Sequence, residues 1–172
     1  IALALLVIAL PVLKNPEYLA GAASDPVVFQ AFFITFLAGF CAVGILAITG
    51  TPLAYALSRS DTPWKGVVET LVDIPLVLPH TVAGLMVYLL FMSRGLLGAP
   101  LGVIGLTFED AFPGIVAAMV FVAIPYYVNA VREGFGRVPV QLENVARSLG
   151  ASRAMAFVTV TLPLTTRHIM YG

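Results

Sequence analysis

Residues 26–58 carry no charged side chain. An uncharged, mostly apolar stretch of that length can be satisfied only inside a large core or in lipid. The rest of the chain decides between the two: 60% of its residues are hydrophobic and only 10% charged, too little polar surface to solvate a water-soluble fold. The expected fold class is therefore all-α, a polytopic transmembrane helical bundle. The formal net charge is zero, so nothing points to nucleic acid, and the placement of charge matters more than its sum. The single Cys41 lies in an apolar run and reads as a buried, unreactive thiol rather than a redox or disulfide group.

Prolines and caps divide the chain. Residues 1–13 would form only ~20 Å of helix, too short for a ~30 Å hydrocarbon core, and are expected to be the end of a first span in a fragment of a longer product. Asn15-Pro16 and Asp25-Pro26 each pair a capping residue with a proline at the first helical position. Residues 27–57 would make ~46 Å of helix, so that span must tilt, bend or protrude, with Pro52 the place to bend. Thr62-Pro63 is expected to open the next helix, and Trp64 suits the headgroup level. Residues 64–92 then read as a third span of ~43 Å interrupted by Pro75 and Pro79. Residues 94–112 are rich in Gly and Pro and read as a loop. Residues 113–131 form a fourth span of ~28 Å containing Pro125, and a fifth begins after Pro163.

One segment differs in kind. Residues 137–163 are basic and amphipathic, and two short helices can be read from them. Pro139 suits a first helical position, Gly150 a left-handed stop, and Ser152 the cap of a second helix. Leu142, Val145, Ala146 and Leu149 then share one face, and Glu143 and Arg147 pair four apart on another. Arg59, Lys65, Arg132, Arg137, Arg147, Arg153 and Arg167 fall on the side of this loop, against Lys14 and Arg94 opposite. That bias places the loop in the cytoplasm of a cell membrane. It is built to bind a cytoplasmic protein or to lie on lipid; the spread, partly neutralised charges favour the protein.

Little in the chain supports catalysis. There is no Gly-x-x-x-x-Gly-Lys-Ser/Thr phosphate loop, no metal-ligand spacing, and no second deep carboxylate for an intramembrane aspartyl mechanism beside Asp73. No catalytic or metal-binding residue and no cofactor is assigned. His80, behind Pro79, falls near mid-bilayer, where an imidazole is either satisfied by a neighbouring helix or lines a path. For Asp73 a packing role, hydrogen-bonded to another helix, outweighs substrate contact.

The amphipathic loop resembles that of ABC importer permeases, whose pattern is Glu-Ala-Ala, three residues, Gly, nine residues, an aliphatic, any residue, then Leu-Pro. Asn144, Val145 and Ala146 hold the first three places, Gly150 the glycine, Val160 the aliphatic, and Leu162 and Pro163 the end. Asn144 and Val145 depart from the pattern, and Glu143 puts a carboxylate one place earlier. The run Asp73-x-Pro75-x-Val77-x-Pro79-His80-Thr81-Val82-Ala83-Gly84 is similar to molybdate/tungstate importer permeases, with a close relative in sulfate/thiosulfate permeases. Residues 112–135 and the Arg167-His168-Ile169 ending are similar too.

The resemblance implies a single type I importer-like permease domain over residues 1–172, truncated at both ends, with a coupling loop at about 134–163. It implies a homodimer in lipid, an extracytoplasmic oxyanion-binding protein, and two cytoplasmic ATPase subunits that bind the ATP and Mg. Coupling is expected at Leu142, Glu143, Asn144, Val145, Ala146, Arg147, Leu149 and Gly150, and the path at Pro79, His80 and Thr81. Sulfate transport, another importer substrate, or a membrane scaffold that only recruits a cytoplasmic partner are the other readings.

Overall fold

Asp25 opens the first long helix as the Asp-Pro pair implies. Its side chain accepts a hydrogen bond from the Val27 N–H at 2.8 Å, and Pro26 fills a position where its missing N–H costs nothing. The computed structural model describes Gly21, Ser24 and residues 25–171, without the side chains of His80 and residues 167–171. Residues 1–13, Lys14 and the Asn15-Pro16 pair therefore lie outside the described residues, as do the side chains of Arg167 and His168. Among the described residues every regular element is helical: α1 (Pro26–Arg59), α2 (Lys65–Val77), α3 (His80–Phe91), α4 (Gly98–Val103), α5 (Phe112–Gly136), α6 (Val140–Ser148), α7 (Arg153–Ala156), a π-helical segment at Phe157–Thr161, and α8 (Leu162–Tyr171). Helices α1 and α5 are each long and apolar enough to cross a membrane, and α2 with α3 would make a third crossing if taken as one broken span.

The core is the seam between α1 and α5. Ala38, Ala42, Leu46, Gly50 and Ala54 recur every fourth residue on α1 and are all buried, a ridge of mostly small side chains that lets two helices approach closely. A Cβ on Gly50 would sit 2.9 Å from the Tyr127 ring, so the ring could not stay where it is. Beside it Thr51 and Tyr127 share a 2.8 Å hydroxyl hydrogen bond. Helix α1 runs unbroken through Pro52; at 34 residues it is ~51 Å long and exceeds a ~30 Å hydrocarbon core.

Helix α2 lies antiparallel to α5, and two polar pairs one turn apart fix its register: Arg132 with Glu69, and Asn129 Nδ2 donating to Asp73 Oδ1 at 2.7 Å. The packing role expected for Asp73 is what the structure shows. The third span is interrupted at Pro79 as expected, but not at Pro75, which lies inside α2. Helix α2 ends at Val77, Leu78 is extended, and the chain resumes from Pro79 with its axis turned by 117°. Leu78 precedes a proline, which disfavours helical backbone, and Pro79 has no N–H to continue the ladder.

Three smaller expectations also shift. Thr62-Pro63 forms a turn ahead of α2, with the Lys65 N–H on the Thr62 carbonyl at 3.0 Å, and the helix begins at Lys65. The 94–112 loop contains a helix of its own, α4. Pro139 is the cap of α6 rather than its first residue.

Candidate functional site

Glu143 is the one carboxylate in residues 134–172, and at 7% exposure it is buried. The expected pair with Arg147 does not form: α6 rolls Glu143 inward instead, because partners from two other elements wait there. Arg59, at the end of α1, donates through Nε at 2.9 Å and Nη2 at 2.7 Å to Oε1. Tyr55, one turn earlier on α1, donates its hydroxyl to Oε2 at 2.7 Å. Thr161, fully buried in the π-helical segment, donates Oγ1 to Oε1 at 2.7 Å. The same Arg59 Nη2 also reaches the Val138 carbonyl at 3.1 Å, tying down the chain just before α6.

This knot explains how a charge is tolerated indoors. Burial alone would raise the Glu143 carboxyl; the hydrogen bonds from Thr161, Tyr55 and Arg59, with the Arg59 charge, outweigh it and hold the group below its ordinary value of 4.5. A buried ion pair becomes costly when a partner is left over, and here both oxygens are occupied. An aromatic cluster closes the apolar side, with Tyr55 edge-on to Phe135 of α5 at 5.6 Å and to Phe157 at 4.7 Å between ring centroids. Four chain segments thus meet at one point: the end of α1, the end of α5, α6 and the π-helical segment.

The π turn is the local consequence of Pro163. A proline at the second position of α8 offers no N–H to the preceding turn and crowds its carbonyl. The backbone widens one turn earlier, and the Leu162 N–H bonds to the Phe157 carbonyl five residues back. Consequently α7 is no isolated short helix but the start of a rod that runs on through Thr161 into α8. Ser152 caps it as the sequence implies, accepting from the Met155 N–H at 3.2 Å.

Gly150 performs the stop expected of it. Its φ is +95°, its N–H bonds to the Arg147 carbonyl at 3.0 Å, and the Ala151 N–H reaches the Ala146 carbonyl at 3.1 Å. These are the two bonds of a Schellman cap, which satisfy carbonyls the helix would leave open. No atom lies within 4 Å of where a Cβ would be, so the demand for glycine is conformational rather than steric.

With Glu143 turned in, the other face of α6 is bare. Leu142 is 43% exposed, Val145 58% and Leu149 84%, with Ala146 half-buried between them. Asn144 and Arg147 are exposed and line, with Glu143, a cleft of 420 Å³ under the helix. Of the residues expected to act together, the structure therefore keeps Leu142, Val145 and Leu149 as a surface ridge with Ala146 half-buried among them, and turns Glu143 into the interior. Arg59, Tyr55 and Thr161 were missed; a signal for the first two was the four-residue spacing that puts Tyr55 and Arg59 on one helix face beside the charged end of α1. At the other expected site, Pro79 and Thr81 are exposed at the break between α2 and α3, while the His80 side chain lies outside the described residues.

Residues 47–172 match the family of binding-protein-dependent transport system inner membrane components. The chain belongs to that family. Among relatives of this transport component, the molybdate/tungstate transport system permease protein of Thermococcus kodakarensis is 40% identical over 172 residues, all of this chain and 64% of that protein. Its namesake in Methanocaldococcus jannaschii is 37% identical over 93% of this chain and 62% of its own length. The sulfate transport system permease protein of Synechococcus elongatus is 32% identical over 82% of this chain and 51% of its own. The chain thus spans between half and two thirds of the length of these relatives.

Proposed function

We propose that the chain is the permease component of an ATP-driven oxyanion importer, with molybdate or tungstate as cargo, and that α6 is its coupling helix. The observation that carries the coupling role is the bare ridge of Leu142, Val145 and Leu149 on a helix locked from behind by Glu143. An apolar ridge held stiffly against the ends of membrane-crossing helices suits the transfer of force from a cytoplasmic ATPase, which binds the ATP and Mg in a separate chain. The relatives named for molybdate/tungstate support the cargo.

In this reading a stroke of the ATPase pulls on α6. The Glu143 knot passes the displacement to α1 as well as to α5 and α8, which flank α6 in sequence, and the helices turn as rods. The path is expected at the break between α2 and α3, along Pro79, His80 and Thr81. A route for a dianion must keep free carboxylates away, and pairing Glu69 with Arg132 and Asp73 with Asn129 does so. A second copy of the permease would complete the path, and an extracytoplasmic binding protein would supply affinity for the cargo.

The test is ATP-dependent uptake by vesicles holding the permease with its ATPase and binding protein. Uptake of labelled molybdate or tungstate, unaffected by a large excess of sulfate, is the expected result. Uptake of sulfate instead would favour the second reading, which the 32% identical sulfate permease supports. Absence of any ATP-dependent uptake, with the ATPase still bound, would leave only a recruiting scaffold.

A further inference from the structure

Among the described side chains between Val138 and Thr166 the exposed charge has one sign. The segment contains Glu143 against Arg147 and Arg153, so in sequence one of the two arginines has a counter-charge. The fold unbalances it, because the Glu143 carboxylate is buried and consumed by Arg59, Tyr55 and Thr161. Arg147 and Arg153 are left exposed, and neither has an ion-pair partner among the described residues. Both line the 420 Å³ cleft beside α6, whose wall also includes Arg59, Glu143, Asn144 and Tyr55. Asp61 on the rim is the cleft's only other carboxylate, so the arginines outnumber the acids there.

We propose that this cleft receives an acidic side chain of the nucleotide-hydrolysing partner, seated between Arg147 and Arg153 while Leu142, Val145 and Leu149 meet an apolar part of the same partner. The inference rests on α6 being the coupling helix and adds the chemistry of what it couples to. Shape favours a protein over a bilayer surface: a recess beside a projecting ridge admits a side chain, whereas a headgroup plane offers none. Charge completes the match, since guanidinium groups take carboxylates in paired hydrogen bonds and an exposed basic cleft steers an acidic partner. Asn144, beside the cleft, can donate through its amide to the same carboxylate.

The experiment compares three forms of the permease in complex with its ATPase: unsubstituted, Arg147→Glu with Arg153→Glu, and Arg147→Lys with Arg153→Lys. Both arginines are exposed, so all three should melt alike. Charge reversal should weaken ATPase association by about ten-fold or more, as juxtaposed like charges do. The lysine form should retain association and, with a zero-length carbodiimide reagent, join to an Asp or Glu of the ATPase identified by mass spectrometry. Unchanged association after reversal would overturn the proposal, as would weakening without any such cross-link. Reversal that alters behaviour only in phosphatidylglycerol bilayers would assign the arginines to lipid. Failure of the unsubstituted permease to bind the ATPase would strike the coupling role itself, a result distinct from the others.

Discussion

Glu143 and Glu109 tie the bundle at opposite ends, and the two knots are made differently. At the α6 end Glu143 is buried, ion-paired and shared among segments distant in sequence: it lies 84 residues from Arg59 and 88 from Tyr55. At the other end Glu109 is held by neutral donors close in sequence, the Tyr88 hydroxyl at 3.0 Å, the Ser93 N–H at 3.1 Å, and the Ser93 hydroxyl. Ser93 and Tyr88 hold its carboxyl below the ordinary value too, without any cation. The first knot joins four elements into one body; the second pins a loop to the helix beside it. The force-transmitting role proposed for α6 needs the former, and a loop that only has to keep its place needs no more than the latter.

The largest break in this contrast is Glu143→Ala. It strands Arg59 and two hydroxyls in a largely buried site and should cost about 3–5 kcal/mol, read as a fall in melting temperature in detergent. Replacing Glu143 and Arg59 together by Leu and Met should recover much of that loss, since it removes the stranded charge and leaves only the Tyr55 and Thr161 hydroxyls without their acceptor, yet should not restore coupled uptake. Next comes Gly150→Val, which forces a β-branched residue to φ +95° and should cost about 1–3 kcal/mol while detaching ATP hydrolysis from uptake. Asn129→Ala removes a single interhelical hydrogen bond to Asp73 and should cost about 0.5–1.5 kcal/mol with coupling intact.

Acid sharpens the same comparison. Because the folded-state value of Glu143 is depressed, its stabilisation is present above 4.5 and is lost as pH falls through the lower folded value. The melting difference between the unsubstituted protein and Glu143→Gln should therefore be full at neutral pH and narrow below about pH 4.5. Smallest of all should be Glu109→Gln, which keeps an acceptor in place at an open site and should shift melting far less than any change at Glu143.

What the sequence made legible was local. Asp25, Ser152 and Gly150 announce their caps because capping is decided within a turn, and the apolar runs of α1 and α5 need no partner to be read. What escaped was long-range or depended on competition. Glu143 and Arg147 have the spacing of a helix pair, but an exposed pair of that kind is weakly favourable, and a buried site with three donors outcompetes it. Pro52, Pro125 and Pro79 look alike in sequence; α1 and α5 pass through theirs, whereas at Pro79 the chain turns by 117°. Whether a proline bends or breaks a helix depends on what neighbouring helices supply to its freed groups, which no window of sequence contains.

The most direct measurement follows a cysteine placed at Val145, with Cys41 changed to Ala, using a membrane-impermeant thiol reagent on oriented vesicles. The account predicts labelling from the cytoplasmic side in the permease alone and protection once the ATPase is bound. Labelling only from the opposite side, or labelling that the ATPase leaves unchanged, would contradict it.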